Sequence, residues 1–157
     1  MGVLPTPQDP TEVSGATRPE IPTPLTVERI AALFKERGYV FFIDSDGDLG
    51  GTWEDATFYF LLHGENKEVL HIRAQYPGTV DAAYLEKVRE VMETSHRSRP
   101  WPKAFYRIDD EGDIRVYASH TVDYEHGVTD AQILQHVDCA ISAILRLFES
   151  LNESLGR

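Results

Sequence analysis

Two acidic turns, six histidines and one cysteine are the residues of this 157-residue chain whose types could support chemistry. Asp44-Ser45-Asp46-Gly47-Asp48-Leu49-Gly50 has the oxygen density of a calcium loop. An EF-hand loop needs glycine at its sixth position and glutamate at its twelfth. Leu49 and Asp55 stand there, and a β-type run precedes the loop, so the segment reads as an acidic hairpin turn. The turn with Asp109, Asp110, Glu111 and Asp113 reads the same way. Among His63, His71, His96, His120, His126 and His136 there is no His-Glu-x-x-His pair, and a lone cysteine makes no zinc knuckle. Glu125 and His126 are adjacent, a spacing that seldom converges on one ion. No metal site and no cofactor are expected. Cys139 falls opposite the apolar stripe of its helix, with no Lys or Arg one turn away to lower its pKa, and is expected to be an unreactive, semi-exposed thiol or a contact to a second subunit. No GxSxG, Walker A or GxGxxG run is present. No catalytic residue is assigned. The alternative, a small-ligand sensor or an enzyme using His120, Glu125 and His126, requires those three side chains to meet in one pocket.

The elements that position these residues belong to an acidic chain. Fifteen Lys and Arg against 26 Asp and Glu give a net charge of −11, which disfavours broad binding to nucleic-acid phosphates. Hydrophobic residues make up 41%, enough for a core that needs neither metal nor disulfide. One cysteine excludes an internal disulfide and is compatible with the cytoplasm. There is no secretory leader pattern and no run of 18 apolar residues. Residues 1–6 formally fit a myristoylation pattern, but nothing polybasic supplies a second anchor. The reading is a cytoplasmic protein that binds neither nucleic acid nor membrane.

Six of the nine prolines lie in residues 1–24, where missing amide donors and fixed φ block helix and sheet alike. That segment reads as a disordered tail, and residues 25–155 as the folded domain. Thr26 caps a helix whose Val27, Ile30, Ala31, Leu33 and Phe34 recur at helical spacing up to Gly38. Strands are predicted over 39–43, near 51–54, over 57–62 and over 69–76, joined by turns too short for parallel crossovers. A second helix is predicted over 81–95 with Leu85, Val88 and Met92 as its stripe. A link holding Trp101 and Pro102 follows. Strands over 103–108 and 114–124 flank the Asp109-to-Gly112 turn. A helix over 130–153, capped by Thr129 or Asp130, closes the chain. The order α-β-β-β-β-α-β-β-α is α+β: one antiparallel sheet with helices on one face.

Side chains alternate across a sheet. Phe58, Phe60, Leu70, Ile72, Ala74, Ala104, Ile114, Val116 and Ala118 form the set that must face the helices. The opposite set mixes Tyr59, Leu61, Arg73, Phe105, Arg107, Arg115 and Tyr117. It reads either as a solvated face or as a contact surface, since aromatics and arginine are enriched at interface centres. Three arginines on an acidic domain suit an acidic-apolar peptide or a second subunit. Trp101 is expected to be a packing anchor.

Several segments carry a family resemblance. They are the helix over 26–38 with Gly38-Tyr39, then Asp46-Gly47-Asp48-Leu49-x-Gly51, then Trp101-Pro102-Lys103-Ala104, and above all Val122-Asp123-Tyr124-Glu125-His126-Gly127-Val128-Thr129-Asp130-Ala131-Gln132-Ile133. Over residues 25–151 the chain resembles the YbjN family of bacterial sensory transduction regulators. The resemblance implies a fold similar to type III secretion chaperones, which are small, acidic, often dimeric and hold extended protein segments. It implies no catalytic residues. The expected function is a non-enzymatic protein-binding module, chaperone-like or a regulatory adaptor, acting as a homodimer on a protein or peptide partner.

Overall fold

Local caps fix the first element. In the computed structural model, which describes residues 20–157, the Thr26 side chain accepts from the Arg29 amide and opens α1 (Val27–Arg37). Gly38 closes it at φ 74°, a left-handed conformation that costs glycine little. Ile30, Leu33 and Phe34 are its buried stripe.

Six antiparallel strands follow the alternation in the sequence: β1 (Phe42–Ile43), β2 (Leu49–Trp53), β3 (Ala56–His63), β4 (Val69–Gln75), β5 (Lys103–Ile108) and β6 (Ile114–Asp123). They form one sheet in the order β1-β2-β3-β4-β6-β5. Between β4 and β5 a 3-10 turn over Ala82–Tyr84 leads into α2 (Leu85–Ser98). The last helix, α3 (Asp130–Leu155), opens with a reciprocal capping box between Thr129 and Gln132. The element order is the one read from the sequence, with boundaries displaced. The first strand shrinks to two residues, because 39–41 run into the sheet without pairing. The second helix starts late, because Asp81 accepts from the Ala83 amide and caps the 3-10 turn.

All three helices bury against the same side of the sheet. Phe58, Phe60, Leu70, Ile72, Ile114, Val116 and Ala118 from the strands meet Phe34, Val88, Ile133, Val137, Ile144 and Leu151 from the helices. Leu147 of α3 joins them. Trp53 sits edge-on to Phe34, Tyr39, Phe58 and Phe60 at one end.

Of the tail read over 1–24, residues 1–19 lie outside the described residues. Residues 20–24 are docked: Thr23 exchanges backbone hydrogen bonds with Val128, and the Glu20 carboxylate accepts from the Asp130 amide. Arg29 holds this junction, donating to the carbonyls of Thr23, Pro24 and Val128 and to the Asp130 carboxylate at 2.7 Å.

Candidate functional site

The strand register places the seven residues singled out from the sequence on the side of the sheet away from the helices. Tyr59, Arg73, Ser119 and Lys103 form one row across β3, β4, β6 and β5, continued by Gly50 and Phe42. Thr57, Gln75, Tyr117 and Phe105 form the next row, and Arg115 faces Arg107 beyond it. Leu61, His71 and Thr121 form a row on the other flank. The rings of Phe105 and Tyr117 stack at 5.1 Å and 16°, and the Arg107 guanidinium lies over Tyr117 at 5.7 Å. Phe42 meets Tyr59 edge-on.

This face is cationic on an acidic chain. Arg73, Lys103, Arg107 and Arg115 project from it. Among the described residues Asp123, at the end of β6, is the one carboxylate at an outward strand position. Arg115 is paired, its Nε donating to Asp109 Oδ2 at 3.1 Å. Among the described residues no carboxylate comes within ion-pair distance of Arg73, Lys103 or Arg107. His71 senses the same field: burial, then the charges of His63, Arg73 and Lys103, lower its pKa. Its Nδ1 lies 2.7 Å from Thr121 Oγ1.

The alternative trio does not assemble. His120 is buried on the helix side of β6, its ring 4.2 Å from that of Trp101 and 4.5 Å from that of His136. Glu125 and His126 pair with each other at 3.3 Å on the loop before α3, the imidazole almost fully exposed. A site needing all three has no geometric basis. Beside His120, His136 lies 3.1 Å from the Tyr124 hydroxyl, and burial followed by the His120 charge lowers its pKa to about 4. Burial also lowers the pKa of His120, whose Nδ1 has no partner among the described residues.

The acidic turns are closed by their own amides. Asp44 Oδ1 accepts from Asp46 and Asp48, and Asp109 Oδ1 accepts from Glu111 and Asp113. The Asp113 amide is the main reason the Asp109 pKa lies below the usual carboxylate range. Cys139 is exposed. Among the described residues no three of His, Cys, Asp and Glu gather to hold an ion, and no helix is long and apolar enough to cross a membrane. Trp101 corrects an expectation. At 46% exposure it is a half-open wall rather than a core anchor. Its position between two prolines beside an edge strand was the available signal.

A family model described as "YbjN: Putative bacterial sensory transduction regulator" matches residues 26–153. Among solved structures the chain is similar to YbjN from E. coli, described as a "putative transcription regulator". The TM-score is 0.72 at 15% identity, over 85% of this chain and 96% of that one. It is also similar to an uncharacterized protein from Methanothermobacter thermautotrophicus, with a TM-score of 0.56 at 11% identity, over 83% and 99%. At these identities the likeness is one of fold. None of the curated proteins matches the chain.

Proposed function

Because the chain belongs to the YbjN family, we propose that it is a regulatory adaptor that binds a protein or peptide partner through the outer face of its sheet and breaks no bonds itself. One observation carries this reading: the face combines cations that have no carboxylate partner among the described residues with stacked, part-exposed aromatics, and no helix of the described chain covers it. Such a mixture suits an acidic, apolar partner. The partner would be held in extended form along the strands, which is the sense in which the module is chaperone-like. A cytoplasmic setting fits its single cysteine. The proposed homodimer joins at the β1 edge, where Val40 and Ile43 stand exposed, leaving the outer face free. Light scattering on wild type and Ile43→Glu tests that contact. A dimer converted to a monomer supports it, and a wild-type monomer removes it.

Panning a displayed library of random 12-residue peptides tests the function. Wild type is expected to enrich sequences that the double variant Arg73→Glu/Tyr117→Glu, folded by circular dichroism, does not retain. Equal retention by that variant, or no enrichment at all, overturns the proposal.

A further inference from the structure

The outer face continues past β5. The link from Arg99 to Pro102 rises beside that edge strand and encloses a cleft of about 470 Å³. Its walls include Arg99, Trp101, Lys103, Ser119 and Thr121. His96 fixes the wall to the strand, its Nε2 accepting from the Ala104 amide at 3.0 Å. Among the described residues the lining holds two cations and no carboxylate. Neither Arg99 nor Lys103 has a carboxylate within ion-pair distance among the described residues, and Arg73 lies in the same cross-strand row on the far side of Ser119.

Ser119 adds a hydroxyl to the cleft wall. It is 3% exposed and lines the cleft. Its neighbour Thr121 is already engaged with His71. The Trp101 indole, half exposed, offers a flat apolar wall beside these polar groups.

Two cations and a hydroxyl beside an aromatic plane match a carboxylate carried next to a flat apolar side chain. One oxygen accepts from Ser119 and the other meets Lys103 or Arg99. The net charge of −11 disfavours a long polyanion such as nucleic acid while leaving a short acidic segment free to dock locally. We infer that this cleft is the anchor site of the interaction face, binding an Asp or Glu side chain of an extended peptide with an adjacent aromatic residue against Trp101. The inference rests on the reading of the outer face as a protein-binding surface.

The peptides enriched by panning provide the test. They are expected to carry Asp or Glu next to Phe, Tyr or Trp. The best of them, made synthetically and labelled with fluorescein, is expected to lose at least tenfold in affinity when its acidic residues become Asn. A comparable loss is expected on Lys103→Glu and on Arg99→Glu. Quenching of tryptophan emission by the peptide is expected to vanish in Trp101→Phe. Affinities within twofold of wild type on both charge variants overturn the anchor site. If binding then still depends on Tyr117→Glu, the face stands without the anchor; if it depends on none of these residues, both fail. Displacement of the peptide by a ten-nucleotide oligo-dT at equal concentration also overturns the assignment.

Discussion

His136 is neutral for a reason that its neighbours supply. Its Nε2 lies 3.4 Å from the His120 carbonyl, which can only accept, so that nitrogen carries the proton. Nδ1 is left to accept from the Tyr124 hydroxyl. Protonating Nδ1 breaks that bond and places a charge against His120 in a buried site. With a folded pKa of about 4 against 6.5 for the free side chain, the contribution is fully present above pH 6.5 and is lost as pH falls toward 4. The loss amounts to roughly 3 kcal/mol. Urea unfolding from pH 7 to pH 4 is expected to show a shallower decline for His136→Leu than for wild type, by about one proton; parallel declines contradict this account. The histidine pair was not legible in the sequence, because His120 and His136 stand on different elements and no local spacing links them. The outward residues were legible, since alternation alone assigns Tyr59, Arg73 and Tyr117 to one side. Their pairing was not, because whether Arg115 finds Asp109 depends on the shape of the turn between them.

At the scale of elements, helix ends were readable where capping is local. Thr26, Gly38 and Thr129 each act within three or four residues of the end they fix, while Asp130 is an equal candidate to Thr129 in the sequence and the box with Gln132 settles the cap. The start of the second helix was misplaced because an Asp cap looks the same in sequence whether a 3-10 turn or an α-helix follows it. The junction made by Arg29 was invisible, since its bonds to Val128 and Asp130 span about a hundred residues. That junction fastens residues 20–24 to the loop ahead of α3. The guanidinium is mostly buried, and hydrogen bonds to a charged group contribute roughly 1.5–3 kcal/mol. Arg29→Ala is expected to lower unfolding stability by about 2 kcal/mol and to speed hydrogen exchange at the Thr23 and Val128 amides specifically. Uniform acceleration across the domain, or no change at those two amides, contradicts the clamp.

For the whole molecule, the net charge and the charge of one face have opposite signs. Acid dominates the composition, yet Arg73, Lys103 and Arg107 face outward without carboxylate partners among the described residues. Composition alone conceals this; only the register gathers residues from β4, β5 and β6 into one patch. Association through such a patch weakens as salt screens it, so affinity for an acidic peptide is expected to fall several-fold between 50 and 300 mM NaCl. The most direct measurement is amide NMR of the isotope-labelled protein titrated with the best panned peptide. The account predicts shift changes concentrated on the outer-face rows, at Tyr59, Arg73, Phe105, Tyr117 and Ser119, with α1 and α3 unmoved. Changes centred on the helices, or none on β3 to β6, would contradict it.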